Sequence, residues 1–589
     1  MRRSTTVCII AMAAAAFTGT GTAAAQTNIR LRVIAKVGDP APALGPGRVI
    51  SSVGTPSVAD SGLVAYTIAD EIEGALVVAN VADPTSKRVA IREAMIPHTL
   101  FSLQTITQHH ILGDGRVAVV GLISGSTLPA GASGAMIETA SGPALTAFAG
   151  MGYVGDGSYL GSISACRVNP SGAMLVVGTL TGAGLGFDGP QVLLRIEEGP
   201  FGNVVTPLLR SGEPLSPIDP GVVVLCDLSG IALNASGIAL APVLVQRAEW
   251  PEPRTVLVMQ APGSAPVQVL APGEAFVLDG ASFTVTSILD ASLNNTGTLA
   301  FTAAADCSAL GLIGAPVVGR ISQPLGTGRV VTIDSVGGQQ LGGTPAGTSL
   351  AVAHFVWSVT PDEALVNGLA GGAGVNSSND LFLAAGSDRN LTSVLREGDP
   401  GPELPPGVMI AYLSGAIAVG PDGYAAISAD LAGPDFQQSN RFALFLITPS
   451  GQVRLAARFG QMVQLSPTLA MPLRGFAFNA RSNGQDGRPR SLARGGRLYF
   501  RADFDDGMFA IMEASHSGCN AADVASLGGA PGPDALLTAD DVVVFLSAFF
   551  AGEVAVADVG SLGGQAAPDG ELTVDDVVVF LAAFFSGCQ

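Results

Sequence analysis

Residues 27–515 contain short runs of alternating apolar and polar residues, many of which follow a glycine-containing turn. The phrase "NNTGTLAF" at Asn294 shows the pattern most fully. Asn or Asp beside Gly tolerates the positive φ of a tight hairpin turn, and the alternation after it predicts a strand. Related phrases recur about 60 residues apart: "ADSGLVAY" at Ala59, "LGDGRVAV" at Leu112, "NPSGAMLV" at Asn169, "NASGIALA" at Asn234, "TPDEALVN" at Thr360, "GPDGYAAI" at Gly420 and "ARGGRLYF" at Ala493.

Recurrence on this scale indicates a repeat architecture of about eight units. Several units also begin with a strand that runs into a Gly- and Pro-rich turn, as in "SVLREGDPGPELPPG". Because each unit has room for about four strands, the pattern predicts a mainly β fold, a β-propeller of about 7–8 four-stranded blades across residues 26–515. An open string of β-sandwiches and a β-solenoid are the alternatives, and the unequal unit lengths count against the solenoid.

The pattern changes at residues 516–589, where two apolar runs, "VVVFLSAFF" and "VVVFLAAFF", each follow an acidic loop. The segment is duplicated with a period of 35, which aligns Asp523 with Asp558 and Phe545 with Phe580. Helices that are apolar nearly all round must bury part of that surface. We therefore predict a small, separate all-α module in which the two helices pack against each other.

Oxygen-bearing residues in the two acidic loops have the spacing of a calcium loop that leads into a helix. Oxygen ligands surround Ca²⁺ in such loops, and the last carboxylate stands on the first turn of the following helix. The predicted ligands of the first site are Asp523, Asp534, the Leu536 carbonyl, Thr538 and Asp541. Those of the second site are Asp558, Asp569, the Glu571 carbonyl, Thr573 and Asp576.

The loops depart from the standard calcium loop in two respects. Asp523 and Asp541 are 18 positions apart, which is longer than a loop of about 12 residues allows without a bulge. The first copy also has Ala535 where the sharp turn of the loop needs glycine, whereas the second copy has Gly570. The second site therefore fits calcium better than the first.

Helix capping is an alternative explanation of the same residues. In a capping box the side chain of a Thr caps the helix and an acidic residue three positions later reaches back to it. Thr538 with Asp541, and Thr573 with Asp576, have this spacing. Capping explains neither the upstream aspartates nor the duplication, so both explanations stay open.

Composition and charge exclude some functions. The formal net charge is −19, with only 29 Lys and Arg along the chain, so a nucleic-acid surface, which needs clustered basic residues, is not expected.

The first 25 residues have the pattern of a signal peptide: the charged Arg2 and Arg3, the apolar stretch "VCIIAMAAAAF" and the small residues of "TAAAQ". Since no later segment has the roughly 18 to 20 apolar residues that span a bilayer, we expect a secreted or cell-surface protein without a membrane span.

Export leaves five cysteines, so at least one thiol stays unpaired in an oxidising compartment. Cys519 and Cys588 bracket the duplicated segment, and we predict a disulfide between them. The pairing of Cys166, Cys226 and Cys307 stays open.

No sequence motif indicates a catalytic or organic-cofactor site. The only histidine cluster, "QHH" at 108–110, is interpreted as an exposed strand end or turn. The prediction is therefore a noncatalytic binding or display protein. The alternatives are an extracellular propeller hydrolase or lyase that acts on polysaccharide, and a structural component of the cell envelope.

Two resemblances extend this interpretation. "NNTGTLAF" resembles the tandem NxxGxxAF repeats of exported bacterial proteins, which implies a repeat body and no particular activity. The duplicated segment, which ends in "SGCQ", resembles a GC-type dockerin, an EF-hand-like module. That resemblance implies structural Ca²⁺ and a cohesin-like or cell-surface protein partner, and so a role in surface attachment or assembly.

Overall fold

The structure is a computed structural model. It describes the chain from residue 29 to residue 586. Outside the description lie residues 1–28, 43, 81–86, 94, 98, 129–130, 140–141, 153–156, 183–188, 200–201, 216–217, 227–229, 327–328, 388–389, 435–436, 438–439, 517–521, 527–529, 532–538, 561–570 and 587–589. The predicted signal peptide lies outside the described residues.

The repeat body is an eight-bladed β-propeller built from antiparallel sheets of four to six strands. The chain enters with β1 (Ile29–Lys36), which belongs to the last blade. Blade 1 contains β2 (Ser52–Val53), β3 (Ser57–Val58), β4 (Leu63–Ala69), β5 (Gly74–Asn80) and β6 (Lys87–Arg92). Blade 2 contains β7 (Ser102–Ile111), β8 (Val117–Ser124), β9 (Ser133–Thr139) and β10 (Gly142–Phe148). Blade 3 contains β11 (Tyr159–Val168), β12 (Met174–Thr181), β13 (Gln191–Gly199) and β14 (Gly202–Arg210).

The next three blades follow the same plan. Blade 4 contains β15 (Pro214–Leu215), β16 (Asp219–Cys226), β17 (Ala232–Leu233), β18 (Ala239–Gln246), β19 (Arg254–Gln260) and β20 (Val267–Leu270). Blade 5 contains β21 (Ala275–Leu278), β22 (Ala281–Leu293), β23 (Leu299–Cys307), β24 (Leu312–Ser322) and β25 (Val330–Val336). Blade 6 contains β26 (Thr348–Thr360), β27 (Glu363–Gly372), β28 (Leu381–Gly386) and β29 (Thr392–Arg396).

The ring ends with two blades. Blade 7 contains β30 (Met409–Val419), β31 (Ala425–Ala432), β32 (Phe442–Ile447) and β33 (Val453–Arg458). Blade 8 contains β34 (Met462–Ser466), β35 (Leu469–Ala477), β36 (Leu492–Ala493), β37 (Arg497–Phe504) and β38 (Phe509–His516). It is completed by β1, which pairs antiparallel with β38 from Ile29↔His516 to Lys36↔Ala510. The amino-terminal strand therefore closes the ring.

Each recurring phrase lies in the hairpin that leads into a long central strand of its blade. Asn294 is 1% exposed, and its side-chain oxygen accepts hydrogen bonds from the N–H groups of Thr296 (3.1 Å) and Thr298 (2.9 Å). Gly297 has φ 83°, a conformation that glycine adopts without strain. The predicted sequence of turn and strand is confirmed, and so is the propeller, with eight blades.

Apolar side chains pack between neighbouring blades. Leu257 and Met259 of blade 4, for example, share one buried cluster with Phe283 and Phe301 of blade 5. Each blade thereby covers the face of the next, which is how a propeller buries both faces of a small sheet.

The tail contains α1 (Ala539–Ala551), α2 (Val554–Ala557), α3 (Val574–Ser586) and a two-stranded ladder of β39 (Ala525–Ser526) with β40 (Ala530–Pro531). The rings of Phe545 and Phe580 stack with centroids 3.9 Å apart, so α1 and α3 pack against each other as predicted. The prediction of an all-α module was wrong in one detail, because the loop after Asp523 pairs with itself as β39 and β40. Among the described helices, none has the length and apolar character needed to cross a bilayer.

Candidate functional site

A segment of blade 8 crosses the axis of the propeller. Residues 478–491, here called the plug, join β35 to β36 and hydrogen-bond to main-chain groups of six other blades. These bonds join Asn479 to Pro56 and Arg490 to Val58 in blade 1, Gly487 to Val168 in blade 3, Asp486 to Leu233 in blade 4, Asn483 to Leu293 in blade 5, Gln485 to Val359 in blade 6, and Ser482 to Val419 in blade 7.

The local sequence explains the plug. Main-chain N–H and C=O groups on the inner side of the blades that have no partner within their own sheet need partners elsewhere. The plug sequence "FNARSNGQDGRPRS" is rich in residues that bond backbone groups, and Ser482 and Asn483 are both fully buried. Gly487 has φ 74°, and a Cβ there would lie 2.8 Å from the Leu233 carbonyl oxygen. The plug therefore fills the axis and fixes the inner strands.

A cavity of about 370 Å³ lies beside the plug. Its walls come from β11 of blade 3, from β17, β18 and β19 of blade 4, from β22 of blade 5, from β26 of blade 6, and from the plug. Strand β22 has a bulge between Ile288 and Asp290, and β26 has one between Ala353 and Phe355. Bulges re-aim side chains, and Asp290 and Phe355 both line the cavity.

Three arginines line the cavity, two of them from the plug. Arg167 of β11 donates from Nε to the Ile231 carbonyl oxygen at 2.9 Å. The guanidinium carbon of Arg481 lies 4.8 Å from the ring centroid of Phe355. Arg488 donates from Nη1 to the Arg481 carbonyl oxygen at 3.0 Å, and its Nε lies 3.2 Å from an oxygen of Asp486. Burial, reinforced by the charge of Arg488, lowers the pKa of Arg167 to about 10.

Two carboxylates face these arginines. Asp486 accepts a hydrogen bond from Ser482 Oγ at 3.1 Å, and Asp290 accepts one from the Val356 N–H at 3.0 Å. Burial raises the pKa of Asp290 from 3.8 to about 6, against the opposing effects of the Val356 and Ala291 N–H groups, Arg488 and Arg481. The cavity is thus lined by three arginine and two aspartate side chains, and the raised pKa makes Asp290 a weak acid.

The substitution Asp290→Asn is expected to stabilise the folded protein at pH 8. The folded state holds the Asp290 proton more tightly than the unfolded state does, so ionisation of Asp290 destabilises the folded protein. This destabilisation has its full size above pH 6 and disappears as the pH falls through 6 towards 3.8. The full shift corresponds to about 3 kcal/mol, and contact with cavity water reduces the expected gain to about 1–2 kcal/mol. Denaturant unfolding of both proteins at pH 8 and pH 4 measures the difference.

Asp290→Glu provides the matched control, since it keeps the charge. A stabilisation by Asn of equal size at pH 8 and pH 4 would contradict the argument, because most of the effect of ionisation must be lost once the carboxyl group of the folded protein is protonated.

The tail forms a second candidate site around two buried aspartates. Asp576 is fully buried, and its Oδ1 accepts hydrogen bonds from the N–H groups of Val559 (2.9 Å) and Gly560 (2.8 Å). Its Oδ2 accepts a bond from the Thr573 N–H at 2.7 Å. Burial alone would raise the pKa of Asp576, but the N–H groups of Thr573, Gly560 and Val559 together hold it below 3.8.

The first repeat has the same arrangement. Asp541, also fully buried, accepts bonds at Oδ1 from the N–H groups of Val524 (2.9 Å) and Ala525 (2.8 Å). Each aspartate therefore ties the loop that follows Asp523 or Asp558 to the start of a helix. Thr573 Oγ1 accepts a bond from the Asp575 N–H at 3.2 Å, which with the Thr573–Asp576 bond forms the capping box.

The other predicted ligands are only partly placed. Asp523 and Asp558 are buried beside their tied loops, and Glu571 is exposed just before α3. Asp534, Leu536, Thr538, Asp569, Cys519 and Cys588 lie outside the described residues, so the calcium ligand sets and the predicted disulfide stay predictions. In the part of the chain that the structure describes, no three His, Cys, Asp or Glu side chains group as a metal site. Cys166 and Cys307 are unpaired and buried.

The interpretation of "QHH" as exposed was wrong. His109 and His110 lie on β7 and are 8% and 4% exposed, since blades 1 and 3 cover them. Burial lowers the pKa of His109 to about 4, and His110 is also held well below its usual range. Both rings are therefore neutral parts of the blade packing at neutral pH.

Sequence reasoning did not find the plug or the arginine-lined cavity. One available signal was length: in blades 2, 3, 5, 6 and 7 a short turn joins the first two long strands, whereas residues 478–491 intervene in blade 8. The residues that meet in the cavity are far apart in sequence, so no spacing could group Arg167 with Arg481 and Arg488.

The ring of eight blades, the plugged axis and the helical tail define an eight-bladed β-propeller protein with a small appended module. The chain belongs to the Family of unknown function (DUF7453), whose model matches residues 7–311 and 269–512. No curated protein matches the chain.

Several solved structures are similar to the chain. The β-propeller domain of the trilobed protease from Pyrococcus furiosus is 11% identical over 59% of this chain and 99% of that one, with a TM-score of 0.24. Prolyl oligopeptidase B from Galerina marginata is 10% identical over 81% of this chain and 56% of that one, with a TM-score of 0.38. Trypanosoma rangeli sialidase is 10% identical over 72% and 62%, with a TM-score of 0.28. At these identities and TM-scores, none of them assigns an activity to this chain.

Proposed function

We propose that the protein is an exported, noncatalytic binding and display protein, in which the propeller carries the ligand site and a dockerin-like, calcium-binding tail attaches it to a surface or assembly. The observation that carries the proposal is the repeated tie in the tail. In both repeats a fully buried aspartate on the first turn of a helix holds the preceding acidic loop by two N–H bonds. Because the tied N–H groups belong to the residues that follow Asp523 and Asp558, each bond holds a predicted first ligand near the predicted last ligand of the same calcium loop.

The helices support the attachment role. Phe545 and Phe580 form the buried face, whereas Phe550 is 83% and Phe585 is 81% exposed on the outer side of α1 and α3. Val543, Leu546, Val578 and Leu581 are also exposed to at least 38%. Exposed apolar side chains on this scale are typical of a protein interaction surface. We propose that a cohesin-like or other cell-surface protein binds here.

The propeller supports the display role. Its ring is closed by β1 and its axis is filled by the plug, so the cavity wall is held by hydrogen bonds from six blades. The cavity charges are anchored to backbone groups at Ile231, Arg481 and Val356. Because the wall and the charged side chains are already held in place, a ligand can bind without rearranging them, which lowers the entropy cost of binding.

Calcium is expected to slow hydrogen exchange in the tail of the full-length protein. Exchange of tail peptides is measured by mass spectrometry in 5 mM CaCl₂ and in EGTA. The variant Asp576→Asn keeps an oxygen acceptor but loses the charge that calcium needs, so exchange of peptides from the second repeat, residues 558–586, should no longer depend on calcium. Asp575→Asn, a neighbouring aspartate outside the predicted ligand set, should respond like the native protein.

Equal exchange rates of the native protein in calcium and in EGTA would refute calcium binding by the tail and leave helix capping as the role of Asp576. A calcium response that survives in the second-repeat peptides of Asp576→Asn would place the second ion elsewhere.

A polysaccharide hydrolase or lyase delivered by the same tail is the second candidate, favoured by one observation. Asp290 lines the axial cavity with a pKa of about 6, which suits a general acid near neutral pH. Release of reducing or unsaturated ends from acidic polysaccharides, lost in Asp290→Asn, would establish this function in place of the noncatalytic one.

A further inference from the structure

The axial cavity concentrates positive charge in an acidic protein. The chain has a formal net charge of −19, yet three arginines and two aspartates line the cavity. Counted as ionised, these groups leave one positive charge in excess. Low-dielectric walls strengthen such a local field, so the cavity attracts anions although the protein as a whole repels them.

The plug arginines are positioned before any ligand arrives. Arg481 stacks on Phe355, which occupies the face of its guanidinium and leaves the N–H groups at the edge to bond. Arg488 is fixed by the Arg481 carbonyl and by Asp486. A planar guanidinium recognises carboxylate and phosphate oxygens through two parallel N–H bonds. Fixing the arginines beforehand lowers the entropy cost of that contact.

The rest of the wall defines what else the ligand needs. Leu257, Ile288, Leu289 and Phe355 supply apolar surface, and Thr255 a hydroxyl group. The volume of about 370 Å³ is that of a small-molecule site. Leu289 is 53% exposed, so the cavity is accessible from solvent beside it.

We propose that the axial cavity binds a small organic oxyanion, with its carboxylate or phosphate group on Arg481 and Arg488 and its apolar part against Leu289 and Phe355. This inference rests on the proposed binding function and names its ligand class. Carboxylate and phosphate groups both present negatively charged oxygens that a guanidinium group binds, so the experiment has to distinguish between them.

The test titrates the full-length protein by calorimetry with D-glucuronate and, separately, with inorganic phosphate at low ionic strength. Saturable binding of one probe or both is expected, and the probe that binds more tightly identifies the source. Arg481→Gln and Arg488→Gln should each weaken binding at least tenfold. Arg474→Gln removes an exposed arginine paired with Asp505 and should change binding less than twofold.

A second pair of variants avoids the plug, in case Arg488→Gln does not fold. Leu289→Glu places a negative charge at the cavity wall and should weaken binding at least tenfold, whereas Leu289→Gln, of the same size, should weaken it less than threefold. The inference is overturned if neither probe binds, or if binding is unchanged in both Arg481→Gln and Leu289→Glu. Because the calcium response of the tail is measured separately, either result would leave the attachment role standing.

Discussion

A chain that starts at residue 37 is expected to lose the cooperative unfolding of the propeller, whereas a chain that starts at residue 29 keeps it. Strand β1 supplies the outer partner of β38 along its whole length, and Ile34 and Ala35 are buried against blade 1. Without β1, blade 8 loses a strand and leaves a bare edge. The truncation removes two buried aliphatic side chains and the pairing of about seven residues of β1 with β38. Together these losses lower the free energy of unfolding by at least about 5 kcal/mol, which is comparable to the stability of a typical domain.

The measurement is thermal unfolding followed by circular dichroism for the two truncated chains. The chain that starts at residue 29 contains all the described strands and so controls for removal of residues 1–28. Melting temperatures within about 2 °C of each other would show that β1 does not hold the ring together.

The second large effect is expected in the tail, where Phe580→Ala should unfold the helical module and leave the propeller intact. Phe580 is 1% exposed and stacks on Phe545, and removing a buried Phe costs about 3–5 kcal/mol. The cluster around this pair contains only tail residues, so the transition of the propeller should not move. Limited proteolysis of the full-length protein, followed by mass spectrometry, measures cleavage within residues 539–586.

Phe585→Ala provides the control on the same helix, because that ring is 81% exposed. Equal proteolysis of the two variants would contradict the assignment of Phe580 to the core. Resistance of both would mean that the module is held together by other contacts.

The repeat pattern predicted much of the fold because its signals are local. The Asn294 side chain bonds N–H groups two and four residues later, so the turn is encoded within one phrase. The period of 35 in the tail is also a local signal: it predicted two helices that pack against each other, and the stacked rings of Phe545 and Phe580 confirm that contact.

The candidate site was much less predictable. The tie between Asp576 and Val559 spans 17 positions, and only folding shows which loop the carboxylate reaches. His109 and His110 looked exposed because they are polar and follow a polar residue, but the neighbouring blades bury them. A polar residue on an inner strand can lie either in the cavity or between blades, and its own sequence neighbourhood does not distinguish the two.

The sequence by itself determined the turns, a propeller of about 7–8 blades and the helices of the tail, because hydrogen bonds over a few residues and a repeated period depend only on the order of residues. The tertiary structure alone decided how the ring closes, what fills its axis and which charges meet there. The pairing of β1 with β38 joins residues about 480 positions apart, and Arg167 meets the plug only after eight blades are in place. Contacts of this range depend on the summed geometry of the blades between them.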